Sequence, residues 1–361
     1  MVFFVAVGLL FGVLALVLAA TAPAWVKVLL PGFDAHGLAL TTTMTCIQLI
    51  GMLASAFNAV LWATLSARGR FVQIEVTGVI ASGISLVVLF LALPVFGVYA
   101  AAWAMTLRFA LITVLLCPAL GRIQWPVFMT AEMRLAGRRM APLLLGSGYY
   151  STGPLVDRLL ASMAGPGDLS LLNTAQLMYG AGQHVIGKAA ISPIVPRLSR
   201  CYAEDRWSEY REILRQTYWL VSLFLLACYV FLIIYGDTIL GLIFGGGFSP
   251  DQLAHLRLLL LSLLGFWVGG VLGQVASSSF YARGNTATPT LIGVVGYTIG
   301  IPLKLLGFYF FGVTGLALGI SVSYFITVAW LFVSSTKTIP GAAAAVVSAN
   351  ESRREKRRSK R

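Results

Sequence analysis

The chain holds 361 residues, of which 58% are apolar and only 11% charged, and its mean hydropathy is +0.86. Soluble globular domains carry about a quarter charged residues, so a water-soluble domain is excluded and membrane-spanning helices become the default reading. The formal net charge of +13 needs no nucleic-acid partner to explain it, because the basic residues sit where membrane topology places them.

Taken in chain order, apolar runs long enough to cross a hydrocarbon core predict an all-α polytopic protein of ten helices. They cover residues 2–22, 38–66, 71–94, 98–120, 140–164, 169–196, 213–236, 253–281, 287–309 and 312–335. The first begins directly after Met1 without a charged leader and runs too long for the apolar part of a cleavable signal. Four scattered cysteines, Cys46, Cys117, Cys201 and Cys228, have no metal-ligand or disulfide spacing and read as packing residues.

Arg and Lys alternate between loops. One set carries Arg68 and Arg70; Arg122, Arg134, Arg138 and Arg139; Arg197, Arg200, Arg206 and Arg211; Arg283; and Lys337. The other set offers Lys27 and Arg257. The positive-inside rule makes the first set cytoplasmic, and an even helix count puts both termini there too. The tail from Glu351 to Arg361 has seven basic and two acidic residues, which suits contact with anionic lipid headgroups.

A repeat runs through the chain at a constant offset of 215. Gly32-Phe33 returns as Gly247-Phe248, Ala67-Arg68-Gly69 as Ala282-Arg283-Gly284, and Phe96-Gly97-Val98 as Phe311-Gly312-Val313. One period holds six predicted helices, so both copies enter the membrane with the same orientation. Helices one to four match the last four of the second copy, and the first copy is expected to lack two helices. The domain reading is an incomplete N-lobe over 1–122, a six-helix C-lobe over 139–336 and a basic tail over 337–361.

Ionisable residues within a membrane are functional candidates, because an unpaired charge there costs several kcal/mol. Arg108 lies mid-way along the fourth helix. Asp157 and Arg158 are adjacent in the fifth and project roughly 100° apart, which suits different partners. His184 and Lys188 share a face of the sixth helix, to which Asn173, Gln176 and Gln183 add polarity. Lys304 follows Pro302, where a kink is expected. The balance is cationic, with Glu75 and Asp157 as the opposing carboxylates, and suits an anion such as a lipid-linked diphosphate.

Metalloprotease, nucleophile-elbow and P-loop motifs are absent from the sequence, so no catalysis, metal or cofactor is expected. Gly245-Gly246-Gly247 reads as a turn, and Gly293, Gly296 and Gly300 as packing residues.

Ala67-Arg68-Gly69-Arg70-Phe71, Asp157-Arg158-Leu159-Leu160-Ala161-Ser162, Pro196-Arg197-Leu198-Ser199-Arg200 and Phe280-Tyr281-Ala282-Arg283-Gly284-Asn285-Thr286 with Pro289 occur in this order. Together they resemble the MurJ/MviN lipid II flippases of the MOP superfamily. The resemblance implies two six-helix lobes around a cationic cavity in the bacterial inner membrane. It further implies alternating access and translocation of undecaprenyl-diphosphate-linked peptidoglycan precursor. Family members begin with two further helices bearing cavity Arg and Asp residues, and many end with two more. The family pattern also places an Arg after Ala-Gln in the sixth helix, where this chain has Leu177.

Three other readings stay open on sequence: a flippase for another lipid-linked oligosaccharide, a non-transporting scaffold among envelope-synthesis proteins, and a drug or cation antiporter using Glu75 and Asp157.

Overall fold

A computed structural model describes residues 2–120, 148–149, 151–165, 167–191 and 193–337. Arg122, Arg134, Arg138, Arg139, the first part of the predicted 140–164 span and the tail from 338 onward lie outside the described residues. No strand occurs among the described residues.

The chain divides into two compact units, Met1–Gly137 and Arg138–Arg361. Unit 1 contains α1 (Val2–Leu29), α2 (Ala35–Ala67), α3 (Phe71–Phe96) and α4 (Val98–Leu116). A short 3₁₀ turn, Cys117–Leu120, follows α4. Unit 2 contains α5 (Gly153–Ser162), α6 (Asp168–Ile186), a π-helical turn (Gly187–Ile191), α7 (Ile194–Ala203), α8 (Trp207–Phe244), α9 (Pro250–Ser262), α10 (Leu264–Tyr281) and α11 (Ala287–Lys337).

Among the described residues, six helices are long and apolar enough to cross a membrane, or seven if the bent pair α9–α10 forms one span. Their exposed surface is itself apolar, with Val79, Phe90, Leu91 and Leu242 each about 70% exposed or more. Such a surface belongs in lipid. α8 runs for 38 residues, roughly 57 Å at 1.5 Å per residue, so it outreaches the hydrocarbon core. Cys201 is buried and Cys46 and Cys228 half-buried, in keeping with packing, whereas Cys117 is exposed.

Three predicted helices differ in detail. The sixth is not continuous over 169–196. It is α-helical to Ile186, widens into the π turn, and restarts as α7 at Ile194, next to Pro193 and Pro196. The predicted 253–281 helix bends by 41° at Leu263. Pro302 does not interrupt α11, whose non-helical residues are Phe311 and Gly312. These divide α11 into an N-arm (287–310) and a C-arm (313–337), matching the last two predicted spans.

The repeat is written into the backbone. Gly97 (φ 54°, ψ −137°) and Gly312 (φ 58°, ψ −141°) share one conformation, and Gly69 and Gly284 both have φ 72°. The turn around Arg68 uses Arg68 N to Leu65 O, Gly69 N to Ser66 O and Arg70 N to Leu65 O. The turn around Arg283 repeats all three bonds 215 residues later, from Arg283, Gly284 and Asn285 to Phe280 and Tyr281. Asp34 caps α2 by accepting from Gly37 N, and Ser249 caps α9 by accepting from Gln252 N. Thr106 Oγ1 donates to Ile47 O at 3.1 Å, and Ser321 Oγ donates to Ser262 O at 2.6 Å. Five matched features at one offset mark two copies of a single design. α1 to α4 thus correspond to α8, α9–α10 and the two arms of α11.

Where the copies diverge, unit 2 bends and unit 1 does not. A bend exposes carbonyls that have lost their helical partners. Here Leu260 O accepts from Tyr179 Oη on α6 (2.8 Å), Leu261 O from Tyr229 Oη on α8 (3.3 Å), and Ser262 O from Ser321 Oγ on the C-arm. Hydroxyls from three helices satisfy three successive carbonyls, so the bend is specified by its neighbours.

The two arms of α11 close on each other through small residues. A Cβ at Gly315 would collide with the Gly307 carbonyl, and one at Gly296 with the Thr327 side chain. This is the packing role expected of Gly296 and Gly300. The hairpin itself turns on Gly312, whose φ and ψ are essentially reserved for glycine. Gly312→Ala and Gly97→Ala are each expected to cost about 1–3 kcal/mol, read as lowered unfolding midpoints in detergent micelles, while Gly78→Ala, which adds a methyl to open space, changes little.

Candidate substrate cavity

Unit 2 encloses a cavity of about 720 Å³ between α5, α6, the π turn, α7, α10 and both arms of α11. Of the seven residues singled out from the sequence, Asp157, Gln176, His184, Lys188 and Lys304 line it. Arg158 is exposed and is not among its walls. Arg108 belongs to unit 1.

The cavity is organised by a buried ion pair. Lys304 Nζ lies 2.7 Å from Asp157 Oδ1, with the two side chains 5% and 8% exposed. Gln176 Nε2 donates to Asp157 Oδ2 at 3.3 Å, and the Lys304 ammonium lies 5.8 Å from the Tyr297 ring centroid. α5 places Asp157 inward because Gly153, Asp157, Leu160 and Ala161 share its buried face, at helical spacing. Arg158, one position on and about 100° round the helix, is exposed rather than turned into the cavity for which it was a candidate. The N-arm places Lys304 opposite, where Gly319 on the C-arm lets the backbones approach until an added Cβ would stand 2.8 Å from Lys304 Cα.

The polar wall of α6 is held by its own hydrogen bonds. Gln183 Nε2 donates to Phe266 O at 2.8 Å, and Tyr179 stacks on Trp267 at 5.1 Å between centroids. His184 and Lys188 are both exposed and both line the cavity. Lys188 sits in the π turn, where the helix widens around Gly187, whose added Cβ would meet Gln274 Oε1 at 2.8 Å. π turns of this kind recur at functional sites.

Sequence reasoning missed Gln274, Tyr297, Ser323 and Tyr324 as wall residues. Gln274 carried a usable signal, as an amide inside the apolar run of α10. Tyr297 did not, since an aromatic residue in a spanning helix usually faces lipid. In this structure it accepts or donates a hydrogen bond with Thr152 Oγ1 at 2.9 Å and meets Tyr149 edge-on at 5.1 Å.

Arg108 on α4 is half-buried, and its Nε is buried without a hydrogen-bond partner among the described residues. At the repeat offset its counterpart is Ser323, and the counterpart of Glu75 is Thr290; both counterparts line the unit 2 cavity. Leu177, at the position where the resemblance expects an Arg, is 64% exposed and is not a wall residue of this cavity. No group of three or more His, Cys, Asp or Glu residues placed to hold a metal ion occurs among the described residues.

A two-fold helical repeat with a polar, lysine-bearing cavity in one unit narrows the relatives. The family model described as "Lipid II flippase MurJ" matches residues 2–352. The chain belongs to the MurJ family. A probable lipid II flippase MurJ of Vibrio cholerae is 24% identical over 194 residues, covering 54% of this chain and 37% of that protein. One of Chlamydia trachomatis is 22% identical over 203 residues, covering 51% and 38%. The chain thus spans well under half the length of these curated MurJ relatives. Among solved structures, a lipid II flippase MurJ in an inward closed conformation aligns with TM-score 0.78 at 18% identity, over 94% of this chain and 73% of that one. A multidrug resistance transporter of the MATE family, in its inward-facing conformation, also reaches TM-score 0.78, at 17% identity over 93% and 80%. The chain shares its fold with both structures and is a multi-pass membrane protein.

Removing one partner of a buried ion pair leaves an uncompensated charge and costs about 3–5 kcal/mol. Lys304→Met should therefore destabilise unit 2 by about that amount, and Asp157→Asn in the same chain should restore most of it, since the neutral pair no longer buries a charge. Chemical denaturation of the three variants in detergent checks both signs.

Proposed function

We propose that this MurJ-family chain moves undecaprenyl-diphosphate-linked peptidoglycan precursor across the bacterial inner membrane by alternating access, with its basic loops and both termini cytoplasmic. The observation that carries this reading is the charge of the unit 2 cavity. Two lysines and a histidine line it against one carboxylate, and that carboxylate is engaged by Lys304. Lys188 therefore adds positive charge to the cavity wall beside that pair, which favours a diphosphate. The polyprenyl chain stays in an apolar environment, and release requires that no single contact bind too tightly.

A second reading, transport of a different lipid-linked oligosaccharide, draws on Leu177, which replaces the Arg of the family pattern. Competition between the two lipids in one transport assay separates them.

In proteoliposomes containing the full chain and a fluorescent lipid-linked precursor, Lys188→Gln is expected to lower transport about 10- to 100-fold, the equivalent of one charge-assisted hydrogen bond. Lys27→Gln, on α1, should leave the rate unchanged. Full transport by Lys188→Gln would remove the cavity from the mechanism.

A further inference from the structure

α6 and α10 meet along a seam that ends at the π turn bearing Lys188. Three contacts make it, each setting a side chain of one helix against a glycine of the other element. An added Cβ at Gly182 would stand 2.5 Å from the Trp267 ring, one at Gly270 would stand 2.3 Å from Gln183 Nε2, and one at Gly187 would stand 2.8 Å from Gln274 Oε1. Trp267 and Gln274 belong to α10 and Gln183 to α6. Glycine at these places lets the two backbones approach.

Gln183 is the centre of the seam. Its amide lies over Gly270 and donates to Phe266 O at 2.8 Å. One turn earlier on α6, Tyr179 Oη donates to Leu260 O at 2.8 Å. The two acceptors flank the bend at Leu263, so α6 is held to α9–α10 both before and after the break. In the other direction the backbone carbonyl of Gln183 accepts from Gly187 N, at the first residue of the π turn. A π turn closes i→i+5 instead of i→i+4, so the direction of its side chains depends on the residue at which it opens. Opening at Gly187 puts Lys188 and Ile191 on the cavity wall. Gln183 lines the cavity as well, but its amide nitrogen is already bonded to a carbonyl.

The seam is not part of the repeated scaffold. At the repeat offset Trp267, Gly270 and Gln274 correspond to Met52, Ser55 and Ala59. It stands where the two copies diverge, as the bend does.

We propose that Gln183 is a positioning residue for diphosphate recognition: by fixing the start of the π turn against α10, it directs Lys188 to the cavity. The proposal rests on the reading of that cavity as a diphosphate site. Gln183 then acts through Lys188 and not by its own contact with the ligand.

Native mass spectrometry of the full chain in detergent, titrated with undecaprenyl diphosphate and with undecaprenol, provides the test. Gln183→Leu removes the donor while keeping an apolar side chain of similar length. It should lower the preference for the diphosphate over the alcohol about 3- to 10-fold, the equivalent of one hydrogen bond, with undecaprenol binding unchanged. Gly270→Ala, whose methyl displaces the same amide from the other helix, should do likewise. In a Lys188→Gln chain neither substitution should lower the preference further, because the group they position is gone. A further loss there would show Gln183 acting on the ligand directly, and loss of undecaprenol binding in both variants would show a general structural role. Either result overturns the proposal. A preference lost in Lys188→Gln but kept in Gln183→Leu and Gly270→Ala overturns the proposal alone, whereas an undiminished preference in Lys188→Gln removes the diphosphate reading of the cavity and the proposal with it.

Discussion

The buried contact between Asp157 and Lys304 is the constraint on which unit 2 depends. Two charges taken out of water are tolerable only when each answers the other and remaining polar atoms find partners. Gln176 donates to the carboxylate and the Tyr297 ring faces the ammonium, which ties α5, α6 and α11 around one point. With the carboxylate engaged by Lys304, the other lysine on the cavity wall is Lys188. A buried ion pair and an exposed lysine therefore line one cavity.

Around that point the architecture is a repeated hairpin scaffold. Glycine at 97 and at 312 turns the last two helices of each copy, threonine or serine at 106 and 321 ties them to the preceding element, and Asp34 and Ser249 cap equivalent helix starts. The copies then differ where chemistry differs. α2 runs unbroken, whereas its counterpart bends at Leu263 and collects hydroxyls from Tyr179, Tyr229 and Ser321. The bend brings Phe266 and Gln274 against the polar face of α6, so the deviation from symmetry is also what shapes the cavity.

Much of this could be read from sequence, for a physical reason. Hydrocarbon demands long apolar helices, so spans announce themselves by length and composition, and a constant offset between loop motifs exposes the duplication. Five of the seven candidate residues line the cavity because a membrane penalises any charge without a purpose. What escaped is what depends on packing between distant segments. Nothing local to Asp157 names Lys304, almost 150 residues away, as its partner. Pro302 suggested a kink that α11 does not make, since a proline in a membrane helix can be accommodated by its neighbours. The break at Leu263 has no Gly or Pro at its hinge residue and follows from acceptors filled by other helices. The π turn likewise came without a signal beyond Gly187 and the prolines that follow it.

In the proposed function the unit 2 cavity recognises a diphosphate with the help of Lys188, which lines its wall beside the Asp157–Lys304 pair. Native mass spectrometry of the detergent-solubilised chain, titrated with undecaprenyl diphosphate and with undecaprenol, measures this directly. The account predicts that the diphosphate lipid binds more tightly than the alcohol to the unaltered protein and that Lys188→Gln abolishes most of that preference. An undiminished preference in Lys188→Gln, or none in the unaltered chain, would contradict it.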